Sequence, residues 1–125
     1  MATILVIDDH EPIRTLLRVV LEGAGYKVLE APNGRLGLEL YCQRPADLVI
    51  TDMSMPEMSG LNLMLELARH SSDAKIIAIS GDVEGKQGLN MAKLLGARQT
   101  FQKPFDMQQL LSAVQYELGV LTSAA

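Results

Sequence analysis

A chain of 125 residues, 48% of them apolar, has the length of one globular domain and enough apolar surface to fill its core. A net charge of −4, no basic run and no Trp leave no electrostatic footprint for a phosphate backbone, which argues against direct nucleic-acid binding. No apolar stretch approaches the about 20 residues that span a bilayer, and the N-terminus lacks the basic flank and small-residue cleavage site of a signal peptide, so a cytoplasmic protein with no membrane insertion is expected. Cys42 is the only cysteine and has no partner for an internal disulfide; it reads as a small, half-buried helix residue.

In chain order, apolar β-branched runs recur at TILVI (3–7), YKVLE (26–30), DLVIT (47–51) and KIIAI (75–79), with a weaker one at RQTFQ (98–102). These predict five strands. After the first, Ile13, Leu16, Leu17, Val20 and Leu21 share one face of a helix that Pro12 can start and Gly23 or Gly25 can end. After the second, Asn33 can cap a helix that Pro45 closes. After the third, Leu61, Met64, Leu65 and Ala68 repeat the helical spacing. The stretch before Leu95 has weaker helix character, because Gly85 and Gly88 each cost a helix roughly 1 kcal/mol relative to Ala. The last helix presents Met107, Leu110, Leu111, Val114 and Leu118, with Asp106 and Gln109 placed as an N-cap and N3 pair.

Five strands alternating with helices imply right-handed βαβ units and a parallel α/β sheet covered on both faces. Runs as apolar as ILVI and LVI, without alternation, are what such a doubly covered sheet requires. One domain over residues 1–119 is expected, with 120–125 a short tail too small for a second domain.

The first apolar run stops abruptly at Asp8 and Asp9. Two carboxylates about 4 Å apart, at an effective dielectric near 20, repel by roughly 4 kcal/mol, so a cation is called for. On the predicted frame Asp8 and Asp9 follow strand one, Asp52 follows strand three, Ser80 strand four and Lys103 strand five. All lie at carboxyl ends of strands, the edge at which open α/β sheets bind ligands. Three carboxylates with oxygen-only ligands suit Mg²⁺, which takes one or two carboxylates together with phosphate oxygens. Lys103 supplies a compact positive charge for a phosphoryl group, and the Ser80 hydroxyl can hydrogen-bond a phosphoryl oxygen. Asp52 is left as a nucleophile that forms an acyl phosphate, with positioning and charge neutralisation doing most of the work.

At these residues the chain resembles the receiver domains of two-component response regulators, of the single-domain chemotaxis-regulator kind, over essentially its whole length. The carriers are the acidic pair Asp8-Asp9, the stretch DMSMPEMSG from Asp52 to Gly60, Ser80-Gly81 after KIIAI, and Lys103-Pro104-Phe105 after Gly96-Ala97. The resemblance implies a flavodoxin-like (βα)5 fold with strand order 2-1-3-4-5. It implies that a histidine kinase or phosphotransfer protein phosphorylates Asp52, switching binding to a downstream protein. It also implies Mg²⁺ held by Asp9, Asp52 and the Ser54 backbone carbonyl, with Asp8 acting through water, and a cis Lys103–Pro104 bond. Ser54 and Asp82 match the variable positions that set phosphoryl lifetime in the family. Thr100 departs from the pattern: an aromatic residue usually stands three positions before the lysine and swings inward on activation, whereas here Phe101 is its neighbour, on the opposite strand face.

Several other readings compete. His10 beside two aspartates suggests a metal ligand, but no His or Cys lies at metal spacing and a surface residue at the helix start is expected. Met53, Met55 and Met58 read as packing under the loop entering the third helix, with Pro56 in its first turn. Ser80 lacks a nearby base for nucleophilic work. As a whole, the chain is read as a phosphorylation-controlled switch rather than a turnover enzyme. The alternatives are a phosphate sink or shuttle in a phosphorelay, a receiver domain cut from a longer regulator, and a flavodoxin-type cofactor binder. The last lacks a glycine- and hydroxyl-rich phosphate loop after strand one.

Overall fold

The computed structural model describes residues 2–53, 58–70, 74–81 and 90–119. In chain order the elements are β1 (Thr3–Ile7), α1 (Glu11–Gly23), β2 (Lys27–Ala31), α2 (Gly34–Gln43), β3 (Leu48–Asp52), α3 (Gly60–His70), β4 (Ile76–Ser80), α4 (described over residues 90–94), β5 (Gln99–Gln102) and α5 (Met107–Glu117). The strands form one parallel sheet in the order β2-β1-β3-β4-β5. This is the parallel α/β sheet that the sequence implied, in the flavodoxin-like order that the resemblance implied.

Period-two alternation divides the apolar strands between two cores. Leu5, Ile7, Val49, Ile76 and Ala78 point to one face, where they meet Tyr41 of α2, Leu63, Met64 and Leu67 of α3, and Ala92 of α4. Ile4, Val6, Leu48, Ile50, Ile77 and Ile79 point to the other, against Leu17 and Leu21 of α1 and Leu110, Ala113 and Val114 of α5. Both faces are therefore dry, and uninterrupted apolar runs are the sequence's solution.

Strands two to four run one residue further toward their carboxyl ends than their apolar runs suggest, and each begins one residue later. Tyr26 belongs to the exit turn of α1, where its N–H donates to the Leu21 carbonyl. At the other end the ladder continues through polar residues: Asp52 pairs with Ile79, and Ser80 pairs with Gln102. Asp52 and Ser80 are thus the last residues of their strands, not the residues after them.

Helix faces differ more. On α1 Leu17 and Leu21 are buried and Ile13 packs beside them, but Leu16 is 48% exposed. On α3 the inward stripe is Gly60, Leu63, Met64 and Leu67, while Leu65 and Ala68 face solvent. The segment LNLMLEL carries apolar residues at 61, 63, 64, 65 and 67, too many to mark one face. Gly60 sets the phase instead. A Cβ there would lie 2.7 Å from Met53 Cα and 2.8 Å from the Asp52 carbonyl oxygen, so only glycine lets the helix begin against the end of β3. Cys42 lies on α2 as expected, but it is exposed; its neighbour Tyr41 takes the buried position.

The caps agree with the reading in outline. Asn33 accepts from the Leu36 N–H, and Asp106 accepts from the Gln108 N–H rather than pairing with Gln109. Met53 and Met58 pack in the first core. Ser54, Met55, Pro56, Asp82, Gly85, Gly88 and the tail at 120–125 lie outside the described residues.

Candidate functional site

The carboxyl ends of β1, β3, β4 and β5 bring Asp8, Asp9, Asp52, Ser80 and Lys103 to one sheet edge. One carboxylate oxygen from each of Asp8, Asp9 and Asp52 can be chosen so that all lie within 4.8 Å of one another. Asp8 is 2% exposed and Asp52 6%, whereas Asp9 faces solvent. Two buried carboxylates and one at the surface therefore share a mouth.

Lys103 spans the two buried acids. Its Nζ lies 3.2 Å from Asp8 Oδ2 and 3.2 Å from Asp52 Oδ2. Burial works to lower the pKa of this ammonium, but the Asp52 and Asp8 charges and their hydrogen bonds outweigh it, so Lys103 is held above the usual lysine value. It is a fixed cation. Its backbone is anchored as well: the Lys103 N–H donates to the Ser80 carbonyl at 2.6 Å, and the following peptide, Lys103–Pro104, is cis. Gly81 makes room for the lysine stem, since a Cβ there would sit 3.2 Å from Lys103 Cδ.

Asp8 is held at every polar atom. Its N–H donates to the Ala31 carbonyl on β2, its Oδ1 accepts from the His10 N–H at 2.8 Å, and its Oδ2 faces Lys103. Its carbonyl oxygen accepts from Arg14 Nη1 at 2.7 Å. His10 is exposed and takes the N-cap position of α1 without a side-chain cap bond, which fits a surface residue at the helix start. Sequence reasoning passed over Arg14 and Glu30. A signal was present, because Arg14 lies three residues before Leu17 and seven before Leu21, on the buried stripe of α1, where a cation needs a reason.

The Ser80 hydroxyl is fully buried, and its Oγ has no hydrogen-bond partner among the described residues. A buried hydroxyl left unsatisfied costs about 1–3 kcal/mol, so the position reads as one waiting for an acceptor. Among the described residues, three carboxylates against one ammonium, with an orphaned hydroxyl on the adjoining strand, fit a divalent cation plus a multiply charged oxyanion. Thr100 pairs with Ala78 and so shares the sheet face of Ser80. Phe101 points the other way, into the core against α1 and α5, with its ring 6.1 Å from that of Phe105.

The site sits in a fold that known proteins share. The family model for the response regulator receiver domain matches residues 4–115, and the chain belongs to that family of two-component signalling modules. Among curated relatives, the chemotaxis protein CheY of Thermotoga maritima is 34% identical over 113 residues, covering 89% of this chain and 92% of the relative. The sporulation initiation phosphotransferase F of Bacillus subtilis is 32% identical and covers 90% of each chain. Among solved structures, the response regulator protein TrrA of Thermotoga maritima, in complex with Mg(2+)-BeF, superposes with a TM-score of 0.84 at 32% identity, over 94% of this chain and 99% of that one. No helix among the described residues is long and apolar enough to cross a membrane.

Proposed function

We propose that this chain is a phosphorylation-controlled switch in which Asp52 accepts a phosphoryl group from a histidine kinase or phosphotransfer protein. The observation that carries this reading is Lys103 Nζ at 3.2 Å from both Asp8 and Asp52, beside the buried Ser80 hydroxyl, which has no partner among the described residues. An Asp52 carboxylate oxygen attacks the phosphorus in line, the bond from phosphorus to the donor's imidazole nitrogen breaks, and the imidazole leaves with the electron pair. Lys103 is placed to compensate charge on one phosphoryl oxygen, and Ser80 Oγ to donate a hydrogen bond to another.

Asp8, Asp9 and Asp52, with the Ser54 backbone carbonyl, are the residues that would hold Mg²⁺. When bound, the ion supplies charge neutralisation that lets a carboxylate approach a phosphate. The crowding of three carboxylate oxygens within 4.8 Å supports this assignment. The chain's own catalysis is confined to gaining and losing this phosphoryl group. Its output is altered binding to a downstream protein, in the cytoplasm, through residues 1–119. Ser54 and Asp82 would tune phosphoryl lifetime, and the short Thr100 side chain replaces the usual aromatic lever. The cis peptide at Pro104 follows the lysine as the resemblance implies.

The test is direct. Incubation with acetyl phosphate and Mg²⁺ should add one phosphoryl mass to the chain, and Asp52→Asn should remove that gain. Labelling of the Asn variant to the same extent would overturn the assignment.

A further inference from the structure

The Asp8 carbonyl belongs to the peptide that joins Asp8 to Asp9, so whatever grips that oxygen sets how both carboxylates are presented. Arg14 grips it, through Nη1 at 2.7 Å from one turn inside α1. The other edge of the guanidinium faces β2: its buried Nε lies 3.5 Å from Glu30 Oε1, an ion-pair approach too long for a hydrogen bond. Glu30 is held in turn by Arg18, whose Nη1 donates to Glu30 Oε2 at 2.8 Å. Glu30 precedes Ala31, the residue whose carbonyl takes the Asp8 N–H. The acid turn is thus tied to β2 twice, once through backbone and once through Arg14.

We infer that Arg14 is a positioning residue for the divalent-cation seat, clamping the Asp8–Asp9 peptide so that the carboxylates converge. The inference rests on the proposal that these acids hold Mg²⁺. Charge alone makes the arrangement paradoxical, because a guanidinium beside a cation seat repels the cation. Two features resolve it. Glu30, which Arg14 shares with Arg18, offsets part of the guanidinium charge, and the planar fork reaches the carbonyl and Glu30 from different edges, which a lysine ammonium cannot reproduce. Groups that orient metal ligands through hydrogen bonds commonly govern affinity as strongly as this clamp is required to.

Positioning and charge predict opposite signs, and calorimetric titration with MgCl2 distinguishes them. Arg14→Lys keeps the charge and loses the fork; Arg14→Gln loses both. If Arg14 positions the acids, each variant binds Mg²⁺ about tenfold more weakly than the unmodified chain. Arg69→Gln removes an equal charge in the last turn of α3, outside the Arg14–Glu30–Arg18 network, and is the control, with its Kd expected within about twofold. Tighter binding by Arg14→Gln, or an unchanged Kd in Arg14→Lys with only its melting temperature lowered, overturns the inference while leaving the metal seat intact. Failure of the unmodified chain to bind Mg²⁺ overturns the seat itself, and the clamp with it. Should the Arg14 variants not fold, Glu30→Gln loosens the far end of the clamp. Amide exchange at His10, whose N–H donates to Asp8 Oδ1, should then accelerate severalfold, and unchanged exchange there counts against the clamp.

Discussion

Ile4, Leu5, Val6 and Ile7 are buried to within 1% and held by apolar contact on both faces of the sheet, whereas Asp8, Asp9 and His10, next along the chain, are held by polar ties. The strand has a single stable environment and needs nothing more. The turn is different: among the described residues it gathers like charges, leans on one lysine, and leaves a neighbouring hydroxyl unsatisfied. Packing provides the stability that lets the acid turn be kept under electrostatic tension, a division expected wherever a stable scaffold carries a crowded polar site.

That contrast can be broken from either side. Leu5→Ala, on the apolar side, removes a fully buried side chain from the core against α2 and α3 and should cost about 3 kcal/mol in urea unfolding. Its effect should be the same with and without Mg²⁺. Lys103→Met, on the polar side, leaves Asp8 and Asp52 without their shared ammonium and should cost about 2 kcal/mol near pH 7, less than a fully buried pair because the lysine side chain is 23% exposed. Here pH gives a further check. The Lys103 pKa is raised above its ordinary 10.5, so its stabilising contribution is complete below that value and is lost as pH rises through the higher folded value. The gap between the unmodified chain and Lys103→Met should therefore close in strong alkali and stay constant from pH 7 to 9.

Legibility in the sequence follows the same divide. The strands were readable because a doubly covered parallel sheet demands unbroken runs such as ILVI, and the acid residues because they end those runs. Strand ends were misjudged by one residue because hydropathy stops at Thr51 and Ile79 while backbone pairing continues through Asp52 and Ser80. The α3 face was obscured by an excess of apolar residues, and it is fixed by the close approach of Gly60 to Met53, a tertiary fact. Leu16 carries the right spacing for the α1 core yet faces solvent, since periodicity bounds the buried stripe only to within a residue. The Arg14–Glu30–Arg18 network escaped notice because its partners, on α1 and β2, meet only after folding.

The central claim is that the acid turn is strained without a cation and relieved by one, and the thermal response to Mg²⁺ tests it most directly. Asp9 faces solvent beside the two buried acids, so Asp9→Asn removes repulsion without opening the core. The account predicts that Mg²⁺ raises the melting temperature of the unmodified chain, because an ion that binds only the native state stabilises it by mass action. Without metal, Asp9→Asn should melt slightly higher than the unmodified chain, by at most about 1 kcal/mol in stability, and should lose most of the Mg²⁺ response. An Asp9→Asn variant that melts lower than the unmodified chain without metal, and keeps its full Mg²⁺ shift, would contradict the account.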